Sequence, residues 1–190
     1  HLLGAALYLV LGVFLVRRGR GDALRVASLV VFVFGSVLLL SISGTYHLLD
    51  LGGDARQIMQ RLDHAAIFVL IACSFTPIHI ILFRGWGRWG MLSLVWGFAY
   101  TAITLKMLYF HTMPQAVGMS LYLIMGWLGA YSGISIWKRF GFHFMEPVLW
   151  GGVAYSIGAV LEFVRWPVVW PGVIQWHEVF HVAVLVGLGF

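Results

Sequence analysis

Three histidines in this chain combine a residue type and a spacing that suit the binding of a metal ion. His177 and His181 are four residues apart, so on a helix both imidazole rings point to the same side, one turn apart. His47 ends a second apolar segment. Three neutral imidazoles and one water form the ligand set of a catalytic zinc ion, which lowers the pKa of that water to roughly 7. We therefore predict a zinc ion held by His47, His177 and His181.

Two further polar residues are placed to act beside such an ion. Ser43 precedes His47 by four residues and shares its helical face. Asp63 opens the next apolar segment, where it would accept a proton or hold the water. An ionisable group within lipid is energetically unfavourable and usually faces the bundle interior with a functional role. We expect Ser43 and Asp63 to be the catalytic residues.

The composition assigns these residues to a membrane protein. Apolar residues make up 61% of the 190 positions and charged residues only 10%, whereas a soluble domain carries about a quarter charged residues. The net charge of +5 comes mainly from arginines at the ends of apolar runs, which is a membrane-surface pattern. No basic stretch is long enough to follow a nucleic-acid backbone. We expect an integral protein of a bacterial inner (plasma) membrane with no nucleic-acid partner.

Seven apolar segments approach the roughly 20 residues that a spanning helix needs. We predict an all-α membrane protein, a seven-transmembrane helix bundle that forms a single domain over residues 1–190. The chain starts with His1 rather than methionine, so we expect this sequence to lack the N-terminal end of the protein. The last segment is still apolar at Phe190, so the C-terminal end could be clipped as well. The predicted segments are Leu2–Val16, Val26–Leu49, Leu62–Phe83, Trp89–Leu105, Pro114–Trp137, Pro147–Phe163 and Ile174 onwards.

The connection before the last segment, Arg165–Trp176, contains two prolines and three tryptophans and is predicted to lie at the membrane interface. Successive membrane helices run in opposite directions. The end of the second segment and the starts of the third and seventh therefore share one membrane face. This topology is expected to bring His47, Asp63, His177 and His181 to the same depth.

The run from His177 to His181 also fits the HExxH pattern of zinc peptidases, in which Glu178 would be the general base. An intramembrane zinc protease is therefore an alternative to a hydrolase that uses Asp63. A second alternative is a non-catalytic receptor or regulator of membrane homeostasis, in which zinc is structural. Open zinc coordination would favour the hydrolase, and a closed site with four protein ligands would favour the structural role.

Ordered blocks of sequence between residues 43 and 181 carry a resemblance to a known family. These blocks are Ser43-x-x-x-His47, Asp63-His64, Ser74-Phe75-Thr76-Pro77, Met125-Gly126-Trp127, Gly151-Gly152-Val153-Ala154-Tyr155 and His177-Glu178-x-Phe180-His181. In this respect the chain resembles the hemolysin III family, the bacterial branch of the progestin and adipoQ receptors.

The resemblance implies a seven-helix fold with zinc bound by one histidine of the second helix and two of the seventh. These correspond to His47, His177 and His181, and the serine and aspartate near the zinc water correspond to Ser43 and Asp63. Relatives of this kind include receptor-like proteins that hydrolyse ceramide amides, and the wider superfamily contains alkaline ceramidases. By analogy, we expect a membrane lipid as substrate or ligand and hydrolysis of its amide or ester bond.

Two neighbouring groups have simpler interpretations. His64 follows Asp63 and points about 100° away around a helix, so we expect a supporting or interfacial residue rather than a fourth ligand. Glu162 and Arg165 have i, i+3 spacing, which predicts a local ion pair.

The distribution of basic residues and the family resemblance predict opposite membrane orientations. The loops after the first, third and fifth segments contain eight basic residues, and the opposite loops contain four. The positive-inside rule then places the C-terminus in the cytoplasm and the zinc face outside it. Resemblance to the adiponectin receptors implies a cytoplasmic zinc face. We follow the charge count.

Overall fold

A computed structural model describes residues 1–50, 53–170 and 176–190. These residues form eight α-helices joined by short connections, with no strand element among them. The helices are α1 (Leu2–Arg18), α2 (Ala23–Leu48), α3 (Asp54–Leu82), α4 (Trp86–Leu108), α5 (Gln115–Trp127), α6 (Gly129–Phe140), α7 (Phe142–Val164) and α8 (Trp176–Gly189).

The helices confirm the predicted all-α membrane class. Within the described residues, α2, α3, α4, the α5–α6 pair and α7 are each long and apolar enough to cross a membrane. Helix α8 is a shorter apolar helix, and α1 has 17 residues. When α5 and α6 are counted as one segment, the described part of the chain has the seven helical segments expected from the sequence.

The fifth predicted segment is interrupted at Leu128, between α5 and α6. The backbone of Leu128 keeps nearly helical angles, with φ −55° and ψ −27°, and its N–H donates to the carbonyl of Ile124 at 3.1 Å. Gly126 and Gly129 flank this position. Glycine weakens a helix because its backbone has more freedom to lose. The interruption therefore falls where the helix propensity of the sequence is low.

The chain divides into two compact units. The first unit, His1–Met113, contains α1 to α4, with α2 packed against α1 and α3, and α3 packed against α4. The second unit, Pro114–Phe190, contains α5 to α8, with α7 packed against α5, α6 and α8. The single-domain organisation over residues 1–190 stays a prediction.

Two contacts fix the antiparallel register of α2 and α3 in the first unit. A Cβ atom added to Gly35 would lie 2.6 Å from Cβ of Cys73, so the two helices approach closely there. Near the other end of the pair, Nη1 of Arg56 donates to the carbonyl oxygens of Leu49 at 2.5 Å and Tyr46 at 3.2 Å. Because α3 already begins at Asp54, the predicted start of this segment at Leu62 is wrong.

In the second unit, α7 and α8 pack through small residues. A Cβ atom added to Gly158 would lie 2.8 Å from Cβ of Ala183, and one added to Gly151 would lie 3.2 Å from the carbonyl oxygen of Gly187. The residue numbers rise along α8 as they fall along α7, so the helices are antiparallel. Small residues allow this close approach of membrane helices.

In the second unit, one predicted segment start differs from the observed helix. Helix α7 begins at Phe142, five residues before the predicted start at Pro147, because the turn that precedes the proline is helical as well. The predicted start of the last segment near Ile174 lies outside the described residues, as does part of the Arg165–Trp176 connection. In the described part of that connection, Trp166 and Trp170 are exposed. The interfacial position of the connection stays a prediction.

Candidate metal and catalytic site

The side chains of Ser43 and Asp63 are buried on the two neighbouring helices of the first unit. Ser43 has no exposed surface and Asp63 is 3% exposed. From the Gly35–Cys73 contact, Ser43 lies about 12 Å along α2 and His47 about 18 Å, at 1.5 Å per residue. Asp63 lies about 15 Å along α3 in the same direction. The register therefore places Asp63 at a level between Ser43 and His47.

Asp63 was predicted to lie at the start of the third segment, but it is the tenth residue of α3. Hydropathy marks only where the apolar run begins, whereas the helix extends through the polar turns that precede it. In those turns, Arg56 reaches the last carbonyl groups of α2. A long polar first section of α3 thus carries Asp63 beside the last turns of α2.

The C-terminal turn of α2 holds His47 in a defined setting. The guanidinium of Arg56 lies 4.6 Å from the centroid of the Tyr46 ring and bonds the carbonyls that end the helix. A cation there complements the negative end of the helix dipole. The ring of His47 is half-buried, stacks on the ring of His1 at 5.0 Å between centroids, and meets the edge of Tyr46 at 4.9 Å. Arg56 and these rings fix the turn that carries His47.

His177 and His181 are brought together in the first two turns of α8, as their spacing predicts. The two Nε2 atoms are 3.1 Å apart, and the rings are nearly perpendicular at 83°. Two nitrogen ligands at 2.0–2.1 Å from a tetrahedral zinc ion are separated by about 3.3 Å. The two Nε2 atoms are therefore spaced as two ligands of one zinc ion, and the pair fits the metal that the sequence implied.

Sequence reasoning missed the partner of His177. Nδ1 of His177 lies 3.3 Å from Oε1 of Glu162, which is in the last turn of α7. The expected ion pair of Glu162 with Arg165 is wrong for the described residues, because Arg165 ends the helix in the left-handed region with φ 53°. Its side chain therefore leaves the helical face and donates to Oε1 of Gln115 at 3.3 Å. The sequence offered one signal for this contact: an acidic residue near the end of one helix is followed by a histidine early in the next.

The described contacts of His64 lie within the first unit. Its Nδ1 is 2.8 Å from the carbonyl oxygen of Gln60 in its own helix, and its ring meets Phe110 edge-on at 5.4 Å. These contacts belong to the packing of α3. Glu178 lies in the first turn of α8, one residue beyond His177.

The structure thus brings together part of the predicted site within each unit. In the second unit His177, His181 and Glu162 form one contact chain. In the first, Ser43, His47 and Asp63 occupy adjoining levels of α2 and α3. The ligand set of His47, His177 and His181 stays a prediction, as do the roles of Ser43 and Asp63.

Comparison with known proteins identifies the family of the chain. The family model described as "Haemolysin-III related" matches residues 1–190, which is the whole sequence. The chain belongs to this family. The resemblance seen in the sequence blocks is therefore confirmed, and it extends beyond residues 43–181 to both ends of the chain.

Curated relatives of this haemolysin-III-related protein come from bacteria and plants. It is 29% identical to Hemolysin-3 of Bacillus cereus over 88% of the chain and 73% of that protein. It is 28% identical to the Hemolysin-3 homolog of Bacillus subtilis over 98% of the chain and 85% of that protein. A plant relative, Heptahelical transmembrane protein ADIPOR2 of Oryza sativa subsp. japonica, is 29% identical over 83% of the chain and 75% of that protein.

These relatives and the apolar helices agree on where the haemolysin-III-related protein resides. Five helical segments of the described chain have the length and composition to cross a membrane, and the matched family is a membrane family. The protein is an integral membrane protein. The bacterial relatives support the expected location in the plasma membrane.

Proposed function

We propose that this haemolysin-III-related protein is a zinc-dependent membrane hydrolase that cleaves an amide or ester bond of a lipid. The observation that carries the proposal is the convergence of the Nε2 atoms of His177 and His181 at 3.1 Å. Nitrogen atoms at this separation suit two positions of a tetrahedral zinc site. His47 supplies the third ligand in the proposal, because the alternating direction of the helices takes the end of α2 and the start of α8 to one membrane face.

When bound, zinc would supply a Lewis acid for the scissile carbonyl and would lower the pKa of water to roughly 7. The three imidazoles are neutral donors, so the charge of the ion is not cancelled by its ligands. The protein contributes the remaining chemistry, which is the holding of the lipid carbonyl and the movement of protons.

Asp63 is the proposed proton acceptor. It takes a proton from the attacking water and returns it to the leaving amine or alcohol, so that water is divided between the two products. Ser43 donates a hydrogen bond from its hydroxyl group to Asp63 or to the substrate oxygen. Their burial, with Asp63 3% exposed and Ser43 fully enclosed, keeps bulk water away from this proton path.

A lipid substrate follows from the location of these residues. Ser43 and Asp63 lie in α2 and α3, which have the length and composition of membrane-spanning helices. A substrate that reaches them has to enter from the membrane or its interface. The alternative of a receptor with structural zinc predicts the same metal without turnover, so activity separates the two.

The test is hydrolysis by the purified, zinc-loaded protein in lipid nanodiscs, with a panel of lipid amides and esters that includes ceramides. We expect release of free fatty acid from at least one substrate, and loss of that release after zinc removal by a chelator. A matched sample with Asp63→Asn should be inactive. No release from any member of the panel by a zinc-loaded sample would contradict the hydrolase and favour the receptor.

A further inference from the structure

The carboxylate of Glu162 and the imidazole of His177 join the end of α7 to the start of α8. The distance from Oε1 of Glu162 to Nδ1 of His177 is 3.3 Å, and both side chains are largely buried, with 21% and 25% of their surfaces exposed. The antiparallel packing around Gly158 and Ala183 sets this pairing. Glu162 lies four residues from Gly158 toward the end of α7, and His177 lies six residues from Ala183 toward the start of α8.

The chemistry of this contact fixes which nitrogen of His177 carries hydrogen. An ionised carboxylate only accepts hydrogen bonds, so Nδ1 of His177 has to be the donor. The lone pair of a neutral ring is then on Nε2, the atom that faces Nε2 of His181 at 3.1 Å. A histidine that binds a metal through Nε2 needs this tautomer.

We propose that Glu162 is a positioning residue of the metal centre, which sets the tautomer and the ring orientation of His177. This inference rests on the proposed zinc site. A carboxylate behind a metal-binding histidine also makes the ring a more basic ligand. Glu162 therefore acts on the metal through His177 and is not itself a ligand or a catalytic residue.

The position of Glu162 is unfavourable for helix stability alone. It lies in the last turn of α7, where the negative end of the helix dipole repels an acidic side chain. The nearest basic residue in sequence, Arg165, turns away to Gln115. The contact with His177 is thus the interaction that accounts for an acidic residue here.

A second carboxylate–histidine contact in α7 provides a matched control. Glu146 lies in the same helix, and its Oε2 is 3.3 Å from Nδ1 of His143. That pair has the same chemistry and distance, but the His143 side chain is fully exposed and far from α8 in sequence. Removing Glu146 changes the helix charge in the same way without affecting His177.

The experiment compares zinc affinity in the full-length protein, purified in nanodiscs, by competition with a fluorescent chelator. We expect Glu162→Leu to weaken zinc binding by about 10–100-fold, the range found for partners of this kind, and Glu162→Gln to weaken it less because an amide oxygen still accepts. Glu146→Leu should bind zinc like the wild type. Cobalt substitution gives a second readout, because the visible spectrum of Co²⁺ reports the ligand geometry and should change in Glu162→Leu only.

The outcomes separate this inference from the zinc site on which it rests. Zinc affinity and a cobalt spectrum that are unchanged in both Glu162 variants would overturn the role of Glu162 and leave the zinc site intact. A wild-type protein that binds no zinc would overturn both. If Glu162→Leu does not fold, as judged by circular dichroism, the Gln variant decides, and wild-type zinc affinity in that variant counts against the proposal.

Discussion

Gly158 of α7 faces Ala183 of α8 so closely that a Cβ atom on Gly158 would lie 2.8 Å from Cβ of Ala183. The same packing brings Glu162, four residues further along α7, to His177, six residues back along α8. A larger residue at position 158 would force the helices apart, and overpacking of this kind costs about 1–3 kcal/mol. We predict that Gly158→Leu lowers the thermal unfolding temperature and weakens zinc binding together.

The control for this prediction is Gly152→Leu in the same helix. A Cβ atom on Gly152 would meet nothing within 4 Å among the described residues, so the substitution adds the same side chain without a clash. Both properties should stay close to those of the wild type. Equal behaviour of the two variants would show that the Gly158 contact does not hold the histidine turn in place.

The sequence predicted the positions of the helices well because hydropathy measures membrane immersion directly. It placed the start of α3 wrongly because five of the eight residues from Asp54 to Arg61 are polar, so the apolar run begins only after them. The alanine, methionine, glutamine and arginine residues of this stretch, with Asp54 in the first turn, nonetheless favour a helix. The hydrogen bonds from Arg56 to the carbonyls that end α2 are tertiary, and no local pattern reports them.

The part of the candidate site whose residues are close together in the sequence could be predicted. The His177–His181 pair follows from the 3.6-residue period of one helix, and the structure has the two rings together. Glu162 could not be assigned in this way, because its partner is 15 residues away across a connection. The i, i+3 spacing to Arg165 suggested a different partner, and the left-handed backbone at Arg165 removed it.

The proposed mechanism requires Asp63 for hydrolysis and does not require Glu178. If Asp63 is the proton acceptor, Asp63→Ala should reduce hydrolysis to the background rate while zinc remains bound, because Asp63 is outside the ligand set. Glu178→Gln should keep most of the activity. Fatty-acid release and zinc content of the same samples provide the measurement. An essential Glu178 with a dispensable Asp63 would instead favour the intramembrane protease.

Arg56 is expected to stabilise the turn that carries His47. Arg56→Ala removes two hydrogen bonds from a charged donor to the carbonyls of Tyr46 and Leu49. Hydrogen bonds to charged groups contribute about 1.5–3 kcal/mol each where they are shielded from water, and less at a half-exposed site. We predict a lower unfolding temperature than that of Gln57→Ala, an exposed neighbour in the same turn. Indistinguishable unfolding curves would show that Arg56 does not cap α2.

We predict the membrane orientation from the basic residues, of which eight lie in or near one set of helix connections and four in or near the opposite set. The positive-inside rule predicts a cytoplasmic C-terminus and places the ends of α2 and the start of α8 on the outer face. A C-terminal fusion to green fluorescent protein should fluoresce in bacteria, and a fusion to alkaline phosphatase at the same position should be inactive. The reverse pattern would place the zinc face in the cytoplasm.

The account depends most on whether the histidines hold zinc, and metal analysis of the purified protein measures this directly. We predict near one zinc ion per chain in the wild type, and much less in the His177→Ala, His181→Ala double variant, because it removes two of the three ligands. His143→Ala, which removes a fully exposed histidine of α7, should retain the wild-type amount. Equal zinc in the double variant and the wild type would contradict the assignment of the metal centre.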